Sequence, residues 1–328
     1  SAASDVYKRQ ELENSATELE RFAACAFAHF LQYGLKVEER QEYEFRQADL
    51  GNVIHQALEQ FSRNLKKNQL TWRSLTDQER DQLIDTSVEE TIHDYGNTIL
   101  ESSARNQYMI LRVKRILRRT VWALQQQLKA GKYEPSRFEI SFSMEEDLKA
   151  SNFQLSEDER LRLRGRIDRV DRYEEDDTIY VKVIDYKSGN TALDLTSVYH
   201  GLQLQLIVYL NAALELEEKN HPGKHAEPAG MFYYHVKDPL VDGKPGAEEE
   251  EIERKLLEKL KVDGLVRAEE KILKDLDREL EAGKKSLVIP AAYNKNGSLS
   301  SRSKTASKEQ FEELCAYVND KILSLIHI

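Results

Sequence analysis

The chain has 328 residues, 40% of them hydrophobic and 32% charged, and its formal net charge is −10. This length suits one large domain, and no window approaches the roughly 18 consecutive apolar residues of a membrane helix, so we expect no membrane partner. The negative charge argues against a general affinity for nucleic acid, but a bound cation can reverse the charge of a local site. Cys25 and Cys315 cannot build a disulfide framework, so we expect a cytoplasmic protein.

Helical patterns fill the first part of the chain. Apolar residues recur at helical spacing over 15–34 and 49–66, and the periodicity continues over 77–128 with a break near 103–107. The last of these helices carries a basic run that either contacts a DNA backbone or is simply solvated: Arg112, Lys114, Arg115, Arg118 and Arg119.

Strand patterns follow the helices. The predicted order is strand 137–144, strand 161–173, strand 178–187, helix 197–217, strand 229–236, helix 247–285 and loop 286–307. This order predicts an α/β (α+β) fold. We divide the chain into a non-native tip at 1–10, a helical region with a histidine motif at 11–132, and a core with C-terminal helices at 133–328.

Two strand ends carry the residues with the clearest chemistry. Asp185 and Lys187 lie two positions apart at the end of one predicted strand, so their side chains point to the same face. Asp168 ends the preceding strand, and a hairpin would place it beside Asp185. Converging carboxylates repel each other unless a divalent cation neutralises them, and Mg²⁺ takes one or two carboxylates plus water and phosphate. The spacing therefore favours a magnesium site.

Three helix residues and one strand residue could complete this site. His55 lies one turn after Gly51 and could be a metal ligand, a proton shuttle or an ordinary structural histidine. Gln205 and Tyr209 share a helix face, where they could orient a phosphate or a base, or belong to the core. Glu139 could reach the metal through water, or it could be a solvated strand residue.

In chain order, these motifs resemble those of the RecB-like nucleases of the PD-(D/E)XK superfamily: G-x-x-x-H at 51–55, GRID at 165–168, DYK at 185–187 and Q-x-x-x-Y at 205–209. The resemblance implies a restriction-endonuclease-like core, with a central mixed sheet flanked by helices and a helical N-terminal elaboration. It also implies metal-dependent hydrolysis of phosphodiester bonds in DNA.

The resemblance assigns a role to each site residue. His55, Asp168 and Asp185 would bind Mg²⁺, for which Mn²⁺ would substitute. Lys187 would position the attacking water or stabilise the developing negative charge. Gln205 and Tyr209 would belong to the catalytic Q-x-x-x-Y helix.

Over 12–325 the chain also looks like the C-terminal nuclease domain of the AddB-type subunit of bacterial helicase–nucleases. That resemblance implies an exonuclease that processes double-strand breaks for recombinational repair. Its substrate would be the single-stranded end of an unwound duplex, and its partner an AddA-type helicase subunit.

The same family carries a 4Fe–4S cluster held by four cysteines, one before the nuclease core and three after it. Cys25 matches the first, although Ala26 stands where the family usually has proline. The three late cysteines are absent, and Cys315 lies on an apolar helical stripe instead. Because one matching thiolate cannot hold such a cluster, we expect it in the full-length protein and not in this truncated chain.

Two other functions fit part of the pattern. One is a RecB-like nuclease of CRISPR adaptation, but such nucleases are shorter than this chain, and the long helical segments favour the helicase–nuclease interpretation. The other is a DNA-binding or scaffold domain that has kept the fold and lost catalysis. The complete set of His55, Asp168, Asp185 and Lys187 argues against that loss.

Overall fold

The computed structural model describes residues 10–37, 47–94, 104–141, 148, 152–154, 159–242 and 248–326. The helices are α1 (Ala16–Ala24), α2 (Ala26–His29), α3 (Gln47–Lys67), α4 (Asp77–Asp94), α5 (Ala104–Ala130), α6 (Leu195–Tyr199), α7 (Gln205–Asn220), α8 (Glu249–Lys259), α9 (Glu270–Leu276) and α10 (Lys308–Ile326), and a π-helical turn spans Phe30–Gly34. The strands are β1 (Gln10–Ser15), β2 (Glu134–Ser141), β3 (Asn152–Gln154), β4 (Glu159–Arg164), β5 (Arg166–Glu175), β6 (Thr178–Lys187), β7 (His225–His235), β8 (Asp263–Arg267) and β9 (Thr305–Ala306).

The centre of the molecule is a mixed sheet of six strands in the order β2-β5-β6-β7-β8-β9. The pairs β6–β7 and β8–β9 are parallel, and the other three pairs are antiparallel. A small second sheet has the order β1-β4-β3. This arrangement confirms the predicted α/β (α+β) class with a central mixed sheet flanked by helices.

Two hydrophobic clusters enclose the sheet. The first joins α3, α4 and α5 to the sheet and includes Phe61, Leu117 and Tyr234. The second joins α7 and α10 to the sheet and includes Val183, Leu206 and Phe311. Each fully buried large apolar side chain contributes roughly 1.5–3 kcal/mol, so both clusters hold the helices firmly on the strands. The sheet residues between the two clusters are therefore held in place from both faces.

The predicted helix at 247–285 is wrong. This segment contains α8, β8 and α9, and β8 pairs with β7. Gly264 allows this pairing, because a Cβ at that position would lie 2.1 Å from the carbonyl oxygen of Met231. The strand is thus stabilised by a neighbour distant in sequence, whereas the surrounding charges resemble those of a solvated helix.

Other predicted elements are divided in the structure. The predicted strand at 161–173 is two strands, β4 and β5, which belong to different sheets. The predicted helix at 15–34 is interrupted at Cys25, whose φ of −165° is extended. The predicted helix at 197–217 is α6 followed by α7. Gln10, assigned above to a non-native tip, begins β1; residues 1–9 lie outside the described ranges.

A buried charge cluster lies inside the sheet, on β5 and β6. The guanidinium of Arg169 donates hydrogen bonds of 2.6 and 2.9 Å to the carboxylate of Asp171, and Lys182 Nζ lies 3.2 Å from the same carboxylate. Burial alone would raise the pKa of Asp171, but the two cations hold that pKa below its usual value. The carboxylate therefore stays charged and pairs with both Arg169 and Lys182.

Asp171→Asn is expected to lower the free energy of unfolding by about 3 kcal/mol, because it leaves two buried cations without their counter-ion. The lowered folded-state pKa means that this stabilisation is present at neutral pH and is lost as the pH falls through that pKa. Urea unfolding at several pH values measures both effects. The matched control is Asp176→Asn in the exposed β5–β6 turn, expected to change stability by less than about 0.5 kcal/mol. Equal stability of the two variants would contradict the prediction.

Candidate metal centre and catalytic site

The site begins where the β5–β6 ladder ends. The last paired residues are Arg169 and Ile184. Beyond them, Asp168 Oδ2 accepts a 2.7 Å hydrogen bond from the backbone N–H of Tyr186. A side-chain carboxylate thus takes the place of a strand carbonyl, and Asp168 comes to lie near Asp185. This is the convergence that the hairpin pattern predicted, but Asp168 lies near the start of β5 and not, as predicted, at the end of its strand.

Helix α3 brings His55 to the same point. Its Nδ1 lies 3.4 Å from Asp168 Oδ2 and 3.9 Å from Glu139 Oε1. Ligand atoms of these three residues all lie within 4.8 Å of one another, which makes them a possible metal-binding group. Burial alone would lower the pKa of His55, but its contacts with Asp168 and Glu139 raise that pKa to about 10. Acids that attract a proton so strongly also favour a divalent cation.

Glu139 has an unusual backbone. Its φ of +49° is left-handed, a conformation that costs a non-glycine residue about 1–2 kcal/mol and that is often found at functional sites. The predicted alternation placed Phe138 and Ile140 on one side of the strand. In the structure they pack against different hydrophobic clusters. Glu139 itself faces His55, and burial raises the pKa of its carboxyl group.

The pKa of Asp185 is raised to about 7. Burial is the largest cause, and the negative charge of Asp168 adds to it. Two buried carboxylates carry like charges and repel each other. A cation bound between them stabilises both. Among the described residues, the group whose ligand atoms converge is His55, Glu139 and Asp168. Asp185, predicted as a ligand, is not in that group and pairs with Lys187.

A chain of contacts positions Lys187. Its Nζ lies 2.6 Å from Asp185 Oδ2 and donates a 2.9 Å hydrogen bond to Gln205 Oε1. The amide nitrogen of Gln205 donates in turn to the hydroxyl of Tyr209 over 2.7 Å. Burial raises the pKa of Tyr209, and the negative charge of Asp185 adds to this shift, so the phenol remains protonated. Of the Q-x-x-x-Y pattern, Gln205 thus binds the lysine directly and Tyr209 binds Gln205.

All six sequence-predicted residues of the nuclease centre line one open cleft of about 410 Å³: His55, Asp168, Asp185, Lys187, Gln205 and Tyr209. Gly51 also lines it, and a Cβ there would lie 3.5 Å from Ser188 Oγ, an ordinary contact distance. The cleft is open to solvent.

Glu20 of α1 was missed by the sequence interpretation. Its Oε1 accepts hydrogen bonds from the backbone N–H groups of Leu204 (2.6 Å) and Gln205 (2.9 Å). Burial raises the pKa of its carboxyl group, while these two hydrogen bonds and the charge of Lys187 act in the opposite direction. Helix α7 begins after Leu204, which has no side chain that can cap a helix.

The two cysteines are placed differently. Cys25 is exposed at the junction of α1 and α2, whereas Cys315 is partly buried in α10, where burial raises the pKa of its thiol to about 12. Among the described residues, the one group of three or more potential metal ligands is His55, Glu139 and Asp168.

The basic run on α5 is largely neutralised. Lys114 pairs with Glu89, and Arg118 pairs with Asp85. Arg115 and Arg119 both contact the carboxylate of Asp238. Cations engaged with acids of the same chain attract phosphate weakly, so this face gives little support to a DNA-backbone stripe.

The comparison with known families agrees with this geometry. A model of the PD-(D/E)XK nuclease superfamily matches residues 13–326. The chain therefore belongs to the PD-(D/E)XK nuclease superfamily. Among the described helices, none combines the length and the apolar character that a bilayer-spanning segment requires.

Individual relatives share one name, which describes each of them as a subunit of an ATP-dependent helicase/deoxyribonuclease. The protein of Lachnoclostridium phytofermentans is 45% identical over 318 residues, which are 95% of this chain and 26% of the relative. That of Alkaliphilus metalliredigens is 39% identical over 94% of this chain and 26% of its own length. That of Thermoanaerobacter sp. is 38% identical over 97% of this chain and 27% of its own length. The chain thus spans about a quarter of these relatives.

Proposed function

We propose that this chain is the nuclease domain of a bacterial helicase–nuclease, a deoxyribonuclease that hydrolyses phosphodiester bonds with Mg²⁺. The observation that supports it most directly is the convergence of His55, Asp168, Asp185 and Lys187 on one open cleft. Membership of a nuclease superfamily gives the reaction class. The name shared by the relatives supports DNA as the substrate.

His55, Asp168 and Asp185 would hold the cation, with Glu139 as a further ligand or as the acceptor of a metal-bound water. Mg²⁺ is bound by few carboxylates and keeps several waters, which suits two aspartates in an open cleft; Mn²⁺ is expected to substitute. When bound, the cation polarises a phosphoryl oxygen and lowers the pKa of its water.

Lys187 supplies fixed positive charge. Its ammonium group has three N–H donors, and Asp185 and Gln205 orient two of them. The third can bind the attacking water or a phosphoryl oxygen. A cation already held in place stabilises the negative charge that develops during phosphodiester cleavage without further reorganisation.

The chain would work within a larger protein. We propose that the complete subunit pairs with an AddA-type helicase partner and degrades the single-stranded end of an unwound duplex, in the cytoplasm, during recombinational repair. The relatives' name and their fourfold greater length support this view.

We also propose that Cys25 is one ligand of a 4Fe–4S cluster in the complete protein. Its exposed position at a helix junction leaves the thiol accessible. The chain contains two cysteines in all, so it cannot supply the four thiolates of such a cluster by itself.

The experiment that tests the proposed activity is cleavage of an end-labelled single-stranded DNA by the purified chain. Cleavage is expected with Mg²⁺ or Mn²⁺ and is expected to stop with EDTA. Cleavage that continues unchanged in EDTA would contradict the metal-dependent mechanism. A folded wild-type chain that cuts no DNA, even when extended to its complete subunit and paired with its helicase, would contradict the nuclease function.

Arg166 is expected to bind a phosphate beside Glu139. It lies two residues before Asp168, its Nη1 is 3.3 Å from Glu139 Oε2, and 59% of its side chain is exposed. Arg166→Ala is expected to raise KM for DNA about fivefold and to reduce the salt dependence of binding by about one unit of slope. The matched control is Arg164→Ala, whose side chain is 54% exposed and pairs with Glu13 in the small sheet instead of with Glu139. Equal effects of the two variants would contradict this role.

A further inference from the structure

Helix α7, which carries Gln205 and Tyr209, lacks a cap of its own. Its N-cap residue, Leu204, makes no side-chain hydrogen bond to the first turn. The first N–H groups of a helix have no partner within the helix and need an acceptor from elsewhere. Here that acceptor is Glu20, which lies 184 residues earlier in the chain.

Glu20 is well suited to this place. Its Oε1 accepts from both Leu204 and Gln205, at 2.6 and 2.9 Å. A carboxylate at a helix N-terminus is also favoured by the helix dipole. Since burying a charge is costly without such partners, the two hydrogen bonds explain how a glutamate is accommodated between α1 and α7.

Gln205 connects Glu20 to Lys187: its backbone contacts Glu20 and its side chain contacts Lys187. Gln205 N–H donates to Glu20, and Gln205 Oε1 accepts from Lys187 Nζ at 2.9 Å. A shift of the first turn of α7 would therefore move the amide oxygen that orients the lysine. Misplacement of a catalytic group by about 1 Å can cost on the order of 100-fold in rate.

We propose that Glu20 is a positioning residue of the catalytic centre, whose carboxylate fixes the first turn of α7 so that Gln205 holds Lys187 toward the reacting phosphate. This inference rests on the proposed nuclease function. By this inference α1, the helix that ends at Cys25, contributes a positioning residue to the site.

The test uses Glu20→Leu in the full chain, because leucine fills a similar volume and needs no hydrogen-bond partner. We expect kcat for cleavage of single-stranded DNA to fall about tenfold while KM stays unchanged. Amide hydrogen exchange at Leu204 and Gln205 is expected to become about tenfold faster. Glu20→Gln keeps an acceptor oxygen at the same reach and is expected to recover most of the kcat.

The control is Glu18→Ala on the same helix. Glu18 belongs to the capping box of α1 itself, so its loss is expected to lower stability without changing kcat. A combined variant tests the route of the effect. Glu20→Leu with Gln205→Ala is expected to lose no more kcat than Gln205→Ala alone, because the two residues act in series.

Three results would overturn the inference: unchanged kcat in Glu20→Leu, unchanged exchange at Leu204 and Gln205, or multiplied losses in the combined variant. Cleavage by the wild-type chain in the same experiment tests the proposed function. Absence of wild-type cleavage would overturn both proposals, whereas wild-type cleavage with an unaffected Glu20→Leu would overturn this inference alone.

Discussion

Asp168→Asn is expected to lower kcat/KM for DNA cleavage by at least about 1,000-fold, equivalent to about 4 kcal/mol. Asp168 lies between His55 and the β6 backbone and contacts both. Asparagine keeps the shape and can still accept the N–H of Tyr186, so the fold is expected to survive. It removes the negative charge that the cation needs. Cleavage rates with saturating Mg²⁺ measure the effect.

The control for this variant is again Asp176→Asn, the same chemical change on an exposed turn of the same hairpin. It is expected to cleave at the wild-type rate. Calorimetric titration with Mn²⁺ should show weaker binding in Asp168→Asn and unchanged binding in the control. If Asp168→Asn retained cleavage within tenfold of the wild type, Asp168 would not be a ligand of the catalytic metal.

Lys187→Met is expected to lower kcat by about 100- to 1,000-fold, in the range found when one fixed charge or donor is removed from a transition state. Methionine keeps most of the apolar stem and loses the ammonium group. Because Lys187 is not a metal ligand, Mn²⁺ affinity is expected to stay the same or to rise. This combination of slow cleavage and intact metal binding separates the role of Lys187 from that of the aspartates.

Lys187→Arg sharpens this test. The planar guanidinium cannot reproduce the contacts of a compact ammonium group with Asp185 and Gln205, so it is expected to restore little activity. Full activity of either variant would show that Lys187 serves only as a counter-ion for Asp185.

The elements that could be predicted are those in which the spacing of apolar residues along the sequence matches the pattern of burial. Helix α3 alternates buried and exposed residues at helical spacing, and β6 buries Ile179, Val181 and Val183 before it reaches Asp185. Both elements are long enough for the pattern to be clear. The polar residues of the site lie at defined positions within these apolar patterns. For this reason the convergence of Asp168 and Asp185 could be predicted.

The parts that were not predictable depend on distant partners. Strand β8 has five residues between charged segments, and its pairing with β7 through Gly264 leaves no periodic signal. The contact of Glu20 with α7 joins residues 184 positions apart. The left-handed backbone at Glu139 occurs at a residue other than glycine, so the sequence does not indicate it. Each of these features is set by tertiary packing and not by local propensity.

The measurement that tests the central claim most directly is the position of Mn²⁺ in crystals of this chain, located by its anomalous scattering. Our account predicts a peak in the cleft within coordination distance of carboxylate oxygens of Asp168 and Asp185 and beside His55. The same crystals of Asp168→Asn should lose that peak. An ordered Mn²⁺ bound elsewhere, with none at Asp168 and Asp185 in the wild type, would contradict the account.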